Sequence, residues 1–265
     1  MGADREVSPM KHIAIVTGAS SGIGREFVRT IPKHGTFDEV WVIARNQERL
    51  EELQWDVSIP LKVVAMDLSD PASFVRMQTL LEEQKSDVRL LINAAGFGRF
   101  QAVEKCSLED NLGMIDLNCK ALAAMTQIVL PYMQKGAKIV EIASVAAFQP
   151  IPYINIYGAT KAFVLSYARA LNRELKQRKI HVLALCPFWT RSRFFERAIQ
   201  KDENIIKRFI AMYEPEFIVK SAWTALRFKR DLCIPGWKAK LQVLGVKLLP
   251  HSLIMTIWQK QQGLK

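Results

Sequence analysis

The chain is predicted to fold as one α/β domain, a doubly wound parallel sheet with helices on both faces. Short β-branched apolar runs recur along it, stretches with helical periodicity separate them, and the first run ends in a glycine-rich turn. Runs that are nearly continuous in apolar character suit strands covered on both faces. Strand–helix alternation implies a parallel sheet with right-handed crossovers.

The first strand is His12-Ile13-Ala14-Ile15-Val16. Val40–Ile43, Leu61–Ala65, Arg89–Ile92, Lys138–Ile142 and His181–Leu185 follow, and Leu232–Gly236 reads as a short last strand ending in a turn, for about seven in all. Helical periodicity covers Arg45–Trp55 and Pro71–Lys85, the second opened by Ser69-Asp70-Pro71, a cap with proline in the first turn. Leu108–Met133 and Tyr157–Gln177 are longer and less polar, so they are expected to pack against protein on more than one side. Thr190–Met212 is aromatic and basic and is expected to be helical, as is Pro215–Phe228. Without a linker or internal repeat, one domain is the simplest reading.

With 265 residues, 49% of them hydrophobic, the chain can bury a sizeable core. The opening residues MGADREVSPM lack the apolar stretch of a secretory signal, and Glu6 stands where a myristoylation start wants Ser or Thr. No apolar run is long enough to span a bilayer. A cytoplasmic protein with a short disordered lead over residues 1–10 is therefore expected. Cys106, Cys119, Cys186 and Cys233 are widely spaced, and with the four histidines they form no ligand pattern, so no metal is expected and buried, reduced thiols are. The net charge of +11 raises the question of nucleic acid, but the basic residues are scattered and no nucleic-acid signature accompanies them. A positive field around an enzyme with a polyanionic cofactor is the plainer account.

Strand one runs into Thr17-Gly18-Ala19-Ser20-Ser21-Gly22-Ile23-Gly24, where a helix should begin. Glycines let backbone approach a phosphate closely, and the free N–H groups of a helix start attract the anion. This points to dinucleotide binding by Gly18, Ser20, Ser21, Gly22, Ile23 and Gly24. The second strand ends Ile43-Ala44-Arg45-Asn46. A carboxylate there would bond ribose hydroxyls, whereas an arginine accommodates a 2′-phosphate, so Arg45 argues for NADP(H). Asp67 and Leu68 after the third strand, and Asn93-Ala94-Ala95-Gly96 after the fourth, sit where ligands bind in such sheets. On spacing alone Asp67 is equally a helix cap.

Tyr157 and Lys161 are four residues apart at the start of a long helix, and so share a face. A phenol with a pKa of ~10 is a poor base near neutrality, and a nearby ammonium lowers that value. The full set resembles the short-chain dehydrogenase/reductase family from about Lys11 to Gly236. The likeness rests on Thr17-Gly18-x-x-x-Gly22-x-Gly24, Asn93-Ala94-Ala95-Gly96, Asn118, Ser144 thirteen residues before the tyrosine, and Tyr157-x-x-x-Lys161. The resemblance implies a Rossmann-type fold and a catalytic set of Asn118, Ser144, Tyr157 and Lys161. Tyr157 would be the acid–base residue and Ser144 would position the carbonyl oxygen. Lys161 would bind the nicotinamide ribose and lower the tyrosine pKa, and Asn118 would hold a water in a proton relay, or else be a buried polar residue satisfying helix backbone. Pro187 and Thr190 would flank the carboxamide. The family commonly has Pro-Gly where this chain reads Pro187-Phe188, so the local backbone there departs from the pattern.

The segment over about residues 190–212 is expected to cover the substrate. It carries Phe194, Phe195, Ile199, Ile205, Ile206, Phe209 and Ile210 beside Arg191, Arg193 and Arg197. With Phe97, Phe100, Phe148, Tyr153, Phe188 and Trp189 near in motif order, these rings either line a largely apolar pocket or form lid and subunit core. A steroid-like, acyl or aromatic carbonyl suits such a pocket better than a sugar. The tail, residues 237–265, mixes apolar residues with lysines and has three readings: packing over the lid or pocket, packing on a second subunit, or lying on a membrane surface. The resemblance implies a homodimer or homotetramer joined through the two long helices. A cofactor-binding scaffold without turnover and a membrane-surface lipid binder are the competing functions; the first usually lacks one of the four catalytic residues, and the second leaves the central motifs unexplained.

Overall fold

The computed structural model describes residues 10–199 and 205–264. The expected disordered lead, except residue 10, lies outside them, as do part of the expected lid and Lys265; the side chain of Arg197 is also outside the description. Seven strands, β1 (His12–Thr17), β2 (Glu39–Ala44), β3 (Leu61–Ala65), β4 (Asp87–Asn93), β5 (Lys138–Ile142), β6 (His181–Leu185) and β7 (Leu232–Cys233), form one parallel sheet. Their order is β3-β2-β1-β4-β5-β6-β7. β7 is shorter than the expected Leu232–Gly236. Pro235 has no N–H to donate, and Gly236 turns the chain at φ +88°.

Ten α-helices are described. They are α1 (Gly22–Thr30), α2 (Gln47–Glu51), α3 (Ala72–Gln84), α4 (Leu108–Ile115) and α5 (Leu122–Val129), then α6 (Asn155–Glu174), α7 (Phe194–Ala198), α8 (Pro215–Arg227), α9 (Trp237–Leu248) and α10 (His251–Gln262). The strand residues alternate between two apolar layers. Ala14, Val16, Val40, Val42, Leu183 and Leu185 pack with Phe27 and Ile31 near α1 and Trp223 of α8. Ile13, Ile15, Trp41, Ile43, Val182 and Ala184 pack on the other face with Met77, Met125, Val129 and Leu171 of α3, α5 and α6. No helix among the described residues is long and apolar enough to cross a membrane.

Two expected helices are broken. Leu108–Met133 is interrupted by a π-helical turn over Asp116–Ala121 and ends in a 3-10 turn at Pro131. The wider turn carries Asn118 inward, where its amide is fully buried and hydrogen-bonded. Among the described residues, the expected Thr190–Met212 helix is reduced to α7. Beyond it, the N–H groups of Lys207 and Arg208 donate to Gln262 Oε1 at 2.8 and 3.0 Å, and Gln262 Nε2 donates to Arg208 O at 3.0 Å. A side chain of α10 thus takes the place of helical backbone partners. Thr190 instead pairs with Tyr213 in a parallel bridge. The thiols also differ from expectation: Cys186 and Cys233 are buried, while Cys106 and Cys119 are only partly so.

The layer beneath β4 and β5 holds a carboxyl group. Glu141 is fully buried and stands opposite Asn93 on the neighbouring strand. It accepts from Asn93 Nδ2 at 3.1 and 3.2 Å and from Thr126 Oγ1 at 2.8 Å. Burial pushes this carboxyl up to about 7, against the hydrogen bonds from Thr126 and Asn93 and the charge of Lys161. Between about pH 4.5 and 7 the unfolded chain releases a proton that the fold retains, so stability falls as pH rises through that window. Glu141→Gln removes the titration. The melting temperature of the variant minus that of the natural chain is expected to be larger at about pH 8 than at about pH 5; a difference independent of pH contradicts the assignment.

Candidate active site

The site lies where the strand order reverses, at the carboxyl ends of β1 and β4. Thr17 closes β1 with a buried hydroxyl that accepts from the N–H groups of Ala94 and Ala95, both at 3.1 Å. The turn that follows touches the β4 exit directly. Gly18 has φ +65°, and a Cβ there would stand 2.7 Å from the Ala94–Ala95 peptide. A Cβ on Gly24 would stand 2.4 Å from Gly18 O. Side chains are excluded at both positions, so the start of α1 lies against the turn with its N-terminal amides at the crevice.

A cavity of about 1230 Å³ begins at this turn and extends to α9 and α10. Gly18, Ser20, Ser21, Gly22, Ile23 and Gly24 line one end. Arg45, Asp67 and Leu68 line it too, as do Ala94, Ala95 and Gly96. Arg45 lies 3.8 Å from Asp67, whose Oδ1 also accepts from Ser69 N at 2.9 Å. Asp67 thus shapes its own turn and borders the cleft, but it does not cap α3, whose cap position is Pro71. Arg49, one helical turn from Arg45, is a further lining cation whose spacing was readable from the sequence.

Asn93 does not line the cavity. It points into the layer below, toward Glu141 and Thr126, because it keeps the alternation of β4 and so faces away from the crevice that the next three residues border.

At the other end, Ser144 follows β5 and caps a 3-10 turn, accepting from Ala146 N at 3.1 Å. Ser144 and Tyr157 both line this end of the cavity, close enough for the serine to act on the phenol and lower its pKa. Lys161 is buried, donates to Ile142 O at 2.7 Å and stands 5.7 Å from the centre of the Tyr157 ring. Surrounding protein pushes the Tyr157 phenol up to about 12, against the influence of Ser144. It pulls Lys161 down to about 8, against the opposing influence of Cys119, Cys186 and Glu141. The phenol is thus raised, by desolvation above all, where a lowering by Lys161 was expected.

Asn118 also stands outside the cavity wall. Its Oδ1 accepts from Phe97 N at 3.0 Å, and Nδ2 donates to Phe97 O at 2.8 Å and to Thr160 Oγ1 at 3.0 Å. With both amide hydrogens committed, the side chain clamps loop to helix and leaves Nδ2 no hydrogen for a relay water.

Pro187, Phe188, Trp189 and Thr190 line the cavity, and Pro187 O accepts from Val145 N at 3.0 Å. Phe188 packs beside Val145 and Val243. Tyr157 is surrounded by rings, with Phe194 at 5.4 Å and Phe100 at 5.9 Å between centres. Two expected substrate contacts are not part of the wall. Phe148 packs into the core with Val145 and Ala239, because the 3-10 turn after Ser144 directs it toward α9. Tyr153 lies on a turn at φ +67°, while its neighbours Ile151 and Ile154 line the cavity instead. Sequence proximity to Ser144 was a poor guide there. Trp237, Leu241, Ile254 and Trp258 of the tail also line the cavity, as in the first of the three readings of that segment, although no local pattern singled out these four residues.

Residues 12–203 match the family model for short chain dehydrogenases. The chain is 34% identical over 178 residues to an NADP-dependent 3-hydroxy acid dehydrogenase of Escherichia coli, covering 66% of this chain and 71% of that one. It is 27% identical to a very-long-chain 3-oxoacyl-CoA reductase of Anas platyrhynchos, over 93% of this chain and 78% of that one. A short-chain dehydrogenase from Sphingobium yanoikuyae, solved with NADPH, superposes with a TM-score of 0.76 at 28% identity over 89% of this chain and 92% of its own. A match of that extent, on a sheet of this order, establishes that the chain belongs to the short-chain dehydrogenase family, oxidoreductases that use a nicotinamide cofactor.

Proposed function

We propose that this oxidoreductase interconverts a ketone and a secondary alcohol on an apolar small molecule, using NADP(H), with Tyr157 as acid–base residue. The observation that carries the reading is that Ser144, Tyr157 and Lys161 line one cavity, walled by aromatic rings and continuous with the glycine turn. The close packing at Gly18 and Gly24 sets the start of α1 beside the turn, and the turn and the first residues of α1 line the cavity, so the residues present fit a dinucleotide. The amides at the start of α1 would hold its phosphates, and Arg45 with Arg49 the 2′-phosphate. Ala94–Gly96, Lys161, Pro187 and Thr190 would hold the nicotinamide half. When bound, the cofactor supplies or accepts the hydride at the substrate carbon.

In the direction of reduction, Ser144 Oγ and Tyr157 Oη hydrogen-bond the carbonyl oxygen, and the phenolic proton moves to that oxygen as the alcohol forms. A phenol held near 12 keeps its proton through neutral pH and is therefore ready as the acid. Lys161, charged below about 8, then faces the phenolate and stabilises it until solvent returns the proton. Asn118 acts as a positioning residue through Thr160. The rings of Phe100, Phe194 and Trp189 favour a steroid-like, acyl or aromatic substrate over a polar sugar. Leu108, Leu112, Ile115 and Phe163 stand exposed on α4 and α6, the face we assign to a second subunit of a homodimer or homotetramer.

Tyr157→Phe is expected to lower turnover of a ketone panel by roughly a thousandfold while leaving NADPH affinity within severalfold; near-normal turnover overturns the mechanism. Arg45→Asp is expected to move the ratio of kcat/KM with NADPH to that with NADH at least about tenfold toward NADH. An unchanged ratio removes Arg45 from cofactor selection.

A further inference from the structure

From Trp237 to the C-terminus the chain contains five lysines and neither Asp nor Glu. α9 in that stretch has two apolar faces. Ala239 and Val243 are buried against Val145, Phe148 and Phe188. On the opposite side Trp237, Leu241, Leu244 and Leu248 recur at helical spacing and are 70, 60, 53 and 74% exposed. Leu249 in the turn and Leu253 and Ile257 on α10 extend the stripe, all of them exposed. Lys238, Lys240, Lys247 and Lys260 are exposed on the same two helices.

We propose that α9 and α10 form a docking face for an anionic lipid surface, with the outer leucine stripe entering the headgroup boundary and the lysines facing lipid charge. A helix whose solvent side is leucine and tryptophan rather than polar meets the requirement for lying in a bilayer interface, and lysines beside such a face add attraction to anionic headgroups. The charge argues for lipid over a second copy of this chain. Two such faces set against each other would oppose lysine to lysine with no carboxylate in the stretch to offset them. The cavity reaches the same place, since Trp237, Leu241, Leu249 and Ile257 belong both to its wall and to the exposed stripe. If the proposed ketone chemistry holds, an apolar substrate reaches Tyr157 from the acyl phase without crossing water.

The test is co-sedimentation of the full chain with vesicles of phosphatidylcholine, with and without phosphatidylglycerol. Binding is expected to rise with phosphatidylglycerol and to fall with salt. Leu244, Leu248 and Leu253 do not line the cavity. Their joint replacement by serine is expected to weaken vesicle binding roughly tenfold or more while leaving turnover of a short soluble ketone unchanged. Lys240→Gln with Lys247→Gln is expected to remove the preference for phosphatidylglycerol. A natural chain that stays in the supernatant with both vesicle types, or a serine variant that binds as well as it, overturns the proposal. So does a serine variant whose only change, by light scattering, is from dimer to monomer. Vesicle binding without turnover of any ketone would keep the docking face and discard the catalytic reading.

Discussion

One buried amide ties the strand ends to the helix that carries the proposed chemistry. Asn118 grips both backbone groups of Phe97, just past β4, and donates to Thr160, whose hydroxyl donates in turn to Tyr157 O at 2.7 Å. The exit of the fourth strand, the middle of the broken α4–α5 helix and the first turn of α6 are thus one hydrogen-bonded unit. Loss of a buried partner in such a unit costs about 1–3 kcal/mol, and here it would also free the tyrosine to shift. The π-helical turn over Asp116–Ala121 is what brings the amide to that position, in keeping with the tendency of such turns to occur at functional sites.

Burial then sets the protonation states around this unit. The phenol of Tyr157 is pushed up, the ammonium of Lys161 is pulled down, and the Glu141 carboxyl on β5 is raised toward neutrality. Each shift has desolvation as its largest cause, so the site is governed more by its low polarity than by pairwise attraction. The same aromatic walls that disfavour charge are the basis for the apolar substrate proposed above. Gln262 joins α10 to the backbone of Lys207 and Arg208, and α10 is part of the cavity wall as well as part of the surface.

Much of this arrangement was legible in the sequence. Parallel strands buried on both faces write themselves as continuous apolar runs, and β3, β5 and β6 fall where those runs lie. The glycine turn and the Tyr157–Lys161 pair were legible because close backbone approach and helical spacing are local properties, Arg45 was legible from its place at the end of β2, and Ser144 only through the family resemblance; all of them line one cavity. The break at Asp116–Ala121 was not, since a π turn leaves the apolar periodicity on either side intact. The lid was misread because its backbone partners come from Gln262, more than fifty residues away. Asn93 and Phe148 were assigned by neighbourhood in the chain, whereas the pleat of β4 and the turn after Ser144 send them elsewhere. Such directions are set by tertiary packing, which no local pattern records.

The central claim is that a proton from Tyr157 and a hydride from a bound nicotinamide meet at one carbonyl group in this cavity. Reduction of an apolar ketone with NADPH deuterated at the transferring position of C4, followed by mass spectrometry of the alcohol, tests it most directly. The account predicts one deuterium on the carbinol carbon of each product molecule, and none in product formed with unlabelled NADPH. Alcohol that carries no label when the deuterated cofactor is consumed would contradict it.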